Sequence, residues 1–294
     1  MHPNSKVRMM SDPAFSPEAL QTFRSIYPEI ATKLTHRLVG HPMFDLEALV
    51  ALAKRIRPVD AEYNRGDVPV GLDPAATPSN GLSVEETIRS IEQCGSWMVL
   101  KFVEQDPAYR ELLHSVLAEL GPVVEPVTGK MLKMEGFVFI SSPDAVTPFH
   151  FDPEHNILLQ LRGRKTMTVF APDDERIASG VCHETFHNGG HRNLPWQDDF
   201  AGKGQAFELA PGEAIYVPVK APHWVKNGSE PSISFSITWR SEWSYQEADA
   251  RGLNRLLRKA GVDPSPPRRF PARNLAKSAA YRGIMKARRV LKAD

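Results

Sequence analysis

The chain is poor in cysteine and in long apolar runs. Only Cys94 and Cys182 occur among its 294 residues. Two cysteines are too few for a disulfide framework, so we expect a reducing compartment, with the cytoplasm as the default. No apolar run is long enough to span a bilayer, and the segment that starts at Met1 has no apolar signal core. We therefore expect a globular protein that does not bind membranes.

The motifs of several common enzyme classes are missing as well. There is no Gly-x-Ser-x-Gly elbow for a nucleophilic serine, and neither cysteine has a recognisable catalytic partner. Neither a Walker phosphate loop nor a dinucleotide fingerprint is present. A hydrophobic content of 41% over this length still suffices for one large domain, or for a domain with helical additions.

What the sequence does contain is His150-Phe-Asp152, followed much later by His223. In an extended strand, side chains two residues apart point to the same face, so His150 and Asp152 project together. Two neutral imidazoles and one carboxylate make up the facial triad of non-haem iron(II) oxygenases, which leaves coordination positions open. A lone His-x-Asp also occurs by chance on ordinary surface strands, so the surroundings decide between the two interpretations.

Those surroundings have a strong strand pattern. Residues 157–161 form a compact apolar run that predicts a buried strand, and Gly163 predicts a tight turn after it. Residues 165–170 alternate in polarity and predict the second arm of a hairpin. Around His223, residues 211–227 predict a glycine turn, a short strand ended by a proline, and a histidine on the next strand.

Both stretches resemble the two motifs of the cupin double-stranded β-helix. Asp152 stands in place of the second histidine of motif one, and Asn156 stands where many cupins carry Glu. They are most similar to the JmjC-like (cupin-8 type) branch, which contains the asparaginyl hydroxylase of hypoxia-inducible factor. The resemblance covers residues 135–243. It implies a mainly β fold with α additions: a cupin or jelly-roll barrel braced by N-terminal helices and followed by C-terminal helices.

The resemblance implies an iron(II)- and 2-oxoglutarate-dependent dioxygenase that hydroxylates a protein side chain or a small metabolite. His150, Asp152 and His223 would hold the iron. An alternative interpretation is a non-catalytic metal-binding cupin that binds or senses a small ligand.

Three further residues would contact the cosubstrate by the same resemblance. Lys165 would bind the far carboxylate of 2-oxoglutarate as a point charge. Thr147 would hydrogen-bond the same carboxylate, and Asn156 the carboxylate near the metal. One position departs from the branch: Ile237 stands where a second amide is expected. Either Ser236 or Thr238 takes over that role, or cosubstrate binding differs.

A second group of metal-friendly side chains lies between Cys182 and His191. Zinc sites use such residues at short spacing. However, residues 188–190, Asn-Gly-Gly, break any helix that would align His187 with His191, and there is no Cys-x-x-Cys pair. We interpret the segment as a long insert between the two motifs. Four tryptophans are interpreted as core or rim packing: Trp97, Trp224, Trp239 and Trp243.

We divide the chain into a helical region packing on the barrel (1–134), the JmjC-like cupin core (135–245) and a basic helical tail (246–294). Residues 58–80 are rich in Pro, Gly, Asp and Asn and predict no regular structure. Capping residues and amphipathic patterns predict the helices. Their expected spans are Ser16 toward Val39, Asp45 to Arg55, Thr87 to Gln93 after a capping box at Ser83, Asp106 to Leu120, Gln246 to Ala260, and Asn274 to Leu291.

The tail carries a strong positive charge. From Arg251 onward, 13 Lys or Arg face two acids, a charge of about +11, which leaves residues 1–250 at about −10. The tail either packs on its own acidic body, forms a homodimer through its helices, or binds an acidic partner such as nucleic acid. Because no motif that reads nucleic acid is present, we favour the first two alternatives.

Overall fold

The structure, a computed structural model, describes residues 12–71 and 78–293, and the expectation for the segment at Met1 lies outside these ranges. The helices are α1 (Pro17–Ile26), α2 (Leu46–Ala53), α3 (Val84–Arg89), α4 (Pro107–Thr128), α5 (Gly180–Phe186), α6 (Glu242–Lys259) and α7 (Leu275–Ala293). The strands are β1 (Thr32–Thr35), β2 (Ala61–Arg65), β3 (Ser96–Lys101), β4 (Met131–Ser141), β5 (Val146–His150), β6 (His155–Arg162), β7 (Lys165–Val169), β8 (Gln205–Leu209), β9 (Glu213–Val217), β10 (His223–Asn227) and β11 (Ser232–Ser241).

These strands form two antiparallel sheets. The larger sheet has the order β1-β9-β6-β11-β4-β3-β2, and the smaller sheet has the order β5-β10-β7-β8. From β4 to β11 the chain passes back and forth between the sheets, and only β7 and β8 are consecutive strands in the same sheet. This winding is a double-stranded β-helix, so the expected mainly β barrel with helical additions is confirmed.

The predicted hairpin of β6 and β7 is wrong. β6 pairs with β9 and β11 in the larger sheet, whereas β7 pairs with β8 and β10 in the smaller one. The turn at Gly163 carries the chain from one sheet to the other. Gly163 has a φ of 68°, and a Cβ there would clash with the carbonyl oxygen of Pro231. Only glycine fits this crossover without strain.

The larger core lies between the larger sheet and the N-terminal helices, and the smaller core lies inside the barrel. The side chains of β11 point alternately to the core on the helical side and to the interior of the barrel. Phe235, Ile237 and Trp239 pack in the core on the helical side, while Ser236 and Thr238 line a cavity within the barrel. Alternate side chains of a strand point to opposite faces, so this one strand helps to build both the support and the site.

The N-terminal helices partly follow the sequence pattern. Ser16 caps α1 as expected, but α1 ends at Ile26 instead of continuing toward Val39. Pro28 explains the early end, because the residue before a proline is disfavoured in the helical region. Tyr27 is accordingly extended, and the chain then enters β1, which pairs with β9.

Two other expectations need correction. Residues 58–80 are not wholly irregular, because β2 lies within them and pairs with β3. Helix α4 continues past Leu120 and contains Pro122 and Pro126. Burial of its apolar face against the larger core stabilises the longer helix despite the two prolines. The expected helices at α2 and α3 are present, including the capping box of Ser83 and Glu86.

The basic tail folds back on the body of the protein. α6 and α7 pack together, with the ring of Tyr281 so close to Gly252 that a Cβ there would lie 2.5 Å from it. Arg258 pairs with Glu184 at 3.0 Å, and Arg269 pairs with Asp173 at 2.5 Å. The tail thus packs on its own body, as in the first of the three alternatives.

None of the described helices is both long enough and apolar enough to span a bilayer.

Candidate metal centre and cosubstrate cavity

His150, Asp152 and His223 converge at one end of the barrel. His150 is the last residue of β5, His223 is the first residue of β10, and the two are register partners. Asp152 follows two residues after β5. One ligand atom from each side chain lies within 4.8 Å of the others. Within residues 12–71 and 78–293, no other group of three His, Cys, Asp or Glu side chains comes that close.

Both histidines present the same nitrogen to this centre. Nδ1 of His150 lies 2.7 Å from the carbonyl oxygen of Pro148, and Nδ1 of His223 lies 2.9 Å from that of Ala221. A carbonyl only accepts, so each Nδ1 carries the proton and each Nε2 keeps its lone pair. Burial, together with the neighbouring His223, lowers the pKa of His150 to about 3. His150 is therefore a neutral imidazole at pH 7, ready to bind a metal.

Asp152 turns one oxygen toward the histidines and the other toward Arg192. Its Oδ2 lies 3.7 Å from Nε2 of His223 and 3.9 Å from Nε2 of His150. Its Oδ1 accepts a hydrogen bond of 2.5 Å from Arg192. Burial is the largest single influence on the pKa of Asp152 and raises it, but Arg192, His150 and His223 together outweigh burial, and the net pKa is lowered. Asp152 is therefore an oriented carboxylate. Sequence reasoning missed Arg192, because it lies in the insert, 40 residues away.

The backbone around Asp152 is held by Lys220. The backbone N–H of Lys220 donates to the carbonyl oxygen of Asp152 at 2.8 Å. Lys220 has a φ of 64°, a left-handed conformation that residues with a Cβ rarely adopt. Here the side chain is buried and pairs with Glu247 of α6, which fixes a conformation that is costly for a residue with a Cβ.

Lys165 lies deeper in the barrel on the same face as His223. The register pairs Val169 with His223 and Lys165 with Asn227, so Lys165 is four residues from the level of the metal centre. At about 3.3 Å per residue the backbone separation is about 13 Å. The ammonium group is buried and has no hydrogen bond or ion pair among the described residues, and burial lowers its pKa to about 7. An isolated buried cation of this kind favours an anionic ligand.

Asn227 adds a polar group next to Lys165. Its side chain is buried, and its Oδ1 has no hydrogen-bond partner among the described residues. Cross-strand partners have Cβ atoms about 5 Å apart, so both side chains reach the same part of the barrel interior. The sequence offered one signal for Asn227, its position at the end of the second motif, but no partner residue.

Thr147 and Asn156 lie in a cavity of about 540 Å³ that also contains His150 and Asp152. Trp97 donates a hydrogen bond from Nε1 to Oγ1 of Thr147 at 2.9 Å. The hydroxyl of Ser236 donates to Oδ1 of Asn156 at 2.7 Å. The Asn156 amide nitrogen is therefore the group left free to donate. Trp97 lines this cavity, so it belongs to the rim of the site and not to the core.

Ile237 points away from this cavity, into the core on the helical side, and is fully buried. It therefore neither fills nor blocks the place of the missing amide. Its neighbours Ser236 and Thr238 both line the cavity, and Ser236 already contacts Asn156. The role of these two hydroxyl groups toward a cosubstrate stays a prediction.

The second histidine segment is built differently. Residues 183–187 read His-Glu-Thr-Phe-His, the spacing that zinc proteases place on a helix. Helix α5 ends at Phe186, and Glu184 is held by Arg258. Neither His183 nor His187 belongs to a close group of potential metal ligands among the described residues. The segment is the insert expected from the sequence, with a short helix that the sequence pattern did not predict.

Comparison with known families agrees with this architecture. The family model described as "Cupin-like domain" matches residues 104–245. "Jumonji C domain-containing protein 5" of Drosophila melanogaster is 31% identical over 100 residues, which are 32% of this chain and 25% of that protein. "Lysine-specific demethylase 8" of Danio rerio is 28% identical over 100 residues, 32% of this chain and 24% of that protein. The chain thus spans about a quarter of the length of these curated relatives.

Among solved structures, the X-ray structure of Escherichia coli ycfD is similar with a TM-score of 0.48 and 17% identity, covering 90% of this chain and 67% of that one. A crystal structure titled as the Escherichia coli ribosomal oxygenase YcfD gives a TM-score of 0.45 and 16% identity, covering 90% and 66%. Residues 104–245 thus resemble cupin-like domains, and the relatives that this chain matches over 100 residues include JmjC proteins.

Proposed function

We propose that this protein is an iron(II)- and 2-oxoglutarate-dependent oxygenase that hydroxylates a protein side chain or a small metabolite. The observation that carries the proposal is the convergence of His150, Asp152 and His223 with an isolated buried cation, Lys165, on the same inward face. The similarity of residues 104–245 to cupin-like domains, and of 100 residues to a JmjC protein, supports the same reaction class.

The three converging side chains fit iron(II). Two neutral imidazole nitrogens and one carboxylate oxygen occupy one side of a metal and leave the other side for exchangeable ligands. When bound with 2-oxoglutarate, iron(II) supplies the oxidising chemistry, in which oxygen and 2-oxoglutarate become CO₂, succinate and the hydroxyl group of the product. The protein orients the ligands: Pro148 and Ala221 fix the two imidazoles, and Arg192 fixes the carboxylate.

The proposed cosubstrate position runs from the metal centre toward Lys165. The ammonium group of Lys165 binds the far carboxylate of 2-oxoglutarate, assisted by the hydroxyl of Thr147 and the amide of Asn227. Asn156 donates its free amide N–H to the carboxylate near the metal. Binding there places a negative charge opposite Lys165 inside the barrel and gives the buried ammonium group a partner.

The substrate would enter from the open side of the 540 Å³ cavity. Its mouth carries charged side chains of both signs, including Lys101, Lys133, Glu62 and Glu135. One relative is named a lysine-specific demethylase, which makes a protein side chain the first class of substrate to test. Two unpaired cysteines and an oxygen-sensitive metal suit the cytoplasm, which is the compartment we propose.

The test is an anaerobic titration with iron(II), with and without 2-oxoglutarate, that follows the weak visible absorption band of the iron(II) complex with 2-oxoglutarate. We expect the band in the unaltered protein and its loss in His150→Ala and Asp152→Ala. His114→Ala is the matched control, since His114 is an exposed histidine on α4. Absence of the band at saturating concentrations would overturn the assignment of 2-oxoglutarate.

The competing function is a cupin that binds a ligand without turnover. The argument for it was Ile237, and Ile237 lies in the core, away from the cavity. Oxygen consumption separates the two functions. An oxygenase converts 2-oxoglutarate to succinate and CO₂ even without its true substrate, at a slow uncoupled rate, whereas a sensor binds its ligand and consumes no oxygen.

A further inference from the structure

A second cavity of about 640 Å³ lies between the barrel and the C-terminal segment. Its lining shares no residue with the metal cavity. It is bounded by the segment before β1, the loop after β7, helix α6 and the proline-rich connection between α6 and α7. Lys220 and Ala221 line it and position Asp152 and His223 through their backbone groups, but no side chain of the lining contacts the metal centre, so the cavity requires an explanation of its own.

The floor of this cavity contains an unpartnered histidine. His183 is only 1% exposed, and neither Nδ1 nor Nε2 has a hydrogen-bond partner among the described residues. One face of its ring packs against Phe151, with ring centroids 4.5 Å apart. Buried polar groups in folded proteins are nearly always hydrogen-bonded, and one that is not calls for an explanation such as a bound water or ion. Burial, with Lys220 and Arg251 nearby, lowers the pKa of His183, so the ring is neutral and has one N–H to donate.

The same floor carries an excess of positive charge. Lys220 and Arg251 both pair with the single carboxylate of Glu247, and the side chains of all three are at most 12% exposed. Two cations thus share one anion in a buried place, which is costly unless a further anion is present. Glu29, Asp173 and Glu175 also line the cavity, but all three are exposed, so water and salt screen their charges, and Asp173 is already paired with Arg269.

The walls and the mouth add two further features. Phe170 is buried against the cavity, and Trp243 packs edge-on against Phe270 at 5.9 Å, so the walls offer flat apolar surface. At the mouth, the guanidinium group of Arg268 has no hydrogen bond or ion pair among the described residues. A ligand that fits has an anionic head for the floor and an apolar body for the walls.

We propose that this cavity binds a small organic anion, a molecule with one phosphate or carboxylate group on an aromatic or similarly flat body. The N–H of His183 donates to an oxygen of the anionic group, and Lys220 and Arg251 supply the opposing charge. The aromatic walls hold the body of the ligand, and Arg268 closes over the entrance. This site does not depend on the oxygenase proposal.

The test is calorimetric titration of the full chain with three probes of the same shape: phenyl phosphate, benzoate and phenol. We expect at least one of the two anions to bind at least about tenfold more tightly than phenol, because the floor selects for charge. The preferred anion tells which head group fits. Saturating 2-oxoglutarate with iron(II) under anaerobic conditions leaves this binding unchanged, since the two cavities are separate.

Three variants test whether the anion binds in this cavity. His183→Phe keeps a ring against Phe151 and removes the N–H, and we expect about tenfold weaker anion binding. Ala171→Trp places bulk in the cavity from an exposed wall position, so it blocks binding without disturbing the fold. Arg176→Gln is the control, because Arg176 is an exposed arginine outside the lining. Equal affinity for phenol and both anions, displacement by 2-oxoglutarate, or full binding by Ala171→Trp would each overturn the proposal.

Discussion

Arg192 donates a hydrogen bond of 2.5 Å to Oδ1 of Asp152, which leaves Oδ2 of the same carboxylate facing the Nε2 atoms of the two histidines. One arginine in a connecting segment therefore decides which oxygen of Asp152 is available to a metal. Groups that orient metal ligands in this way commonly contribute 10- to 100-fold to metal affinity.

The first prediction follows from this contact. In Arg192→Ala the carboxylate of Asp152 loses its orienting partner, so iron(II) affinity should fall about 10- to 100-fold. Anaerobic metal titration measures the change, and manganese(II) serves as a redox-stable substitute. Arg176→Ala, which removes an exposed arginine elsewhere, should leave affinity unchanged. If Arg192→Ala binds metal as tightly as the unaltered protein, the contact has no orienting role.

The second prediction concerns the pH dependence of cosubstrate binding. Burial lowers the pKa of Lys165 to about 7 in the free protein, so the group is an ammonium below pH 7 and an amine above it. A bound carboxylate stabilises the ammonium form and raises this pKa. The affinity for 2-oxoglutarate should thus be highest below pH 7. It should fall by at most about tenfold per pH unit as the pH rises through 7.

Two variants check the source of this dependence. Lys165→Met should bind 2-oxoglutarate weakly, with no dependence on pH above 7. Lys165→Arg keeps its charge at every accessible pH, so whatever affinity it retains should be flat over the same range. An unaltered slope in Lys165→Met would assign the titration to a different group.

The third prediction concerns the buried ion cluster under α6. Glu247→Ala removes the carboxylate that Lys220 and Arg251 share, and leaves two cations without a partner. Loss of one partner from a buried ion pair costs about 3–5 kcal/mol of folding free energy. Urea unfolding measures this loss. Glu175→Ala, at an exposed position, is the control and should change stability by less than about 0.5 kcal/mol.

The fourth prediction uses two glycines with similar backbone angles. Gly163 and Gly40 have φ values of 68° and 72°, but a Cβ at Gly40 meets nothing within 4 Å. Gly40→Ala should cost about 1 kcal/mol for the left-handed conformation alone. Gly163→Ala should cost about 1–3 kcal/mol more, because its Cβ overlaps the backbone of Pro231. Equal losses in thermal unfolding would show that the backbone relaxes at the crossover.

The resemblance to the two cupin motifs predicted the barrel and the convergence of His150, Asp152 and His223, because each motif is a short segment. The period-two spacing of His150 and Asp152 and the glycine turn before β9 are properties of a few consecutive residues. By contrast, the choice of which strands pair with each other does not depend on consecutive residues. β6 and β7 are adjacent in sequence and have strand patterns, yet they lie in opposite sheets, since a wound barrel pairs distant strands that no local pattern reveals.

The same limit explains the residues that were missed. Arg192 lies in an insert without periodicity, and its contact with Asp152 spans 40 positions. Trp97 reaches Thr147 from β3, a strand outside the two motifs. Strand β2 reads Ala-Glu-Tyr-Asn-Arg, which has no clear alternation, and is defined by its pairing with β3. Each of these three features depends on contacts between distant parts of the chain, so it could be identified only in the folded structure.

The salt link between Lys220 and Glu247 has a consequence for how far this protein can be shortened. Removing the chain after β11 would leave the buried ammonium group of Lys220 without its partner Glu247. The backbone N–H of the same lysine donates to the carbonyl oxygen of Asp152. Helix α6 therefore supports the proposed metal centre, and a shortened chain has to retain at least this helix.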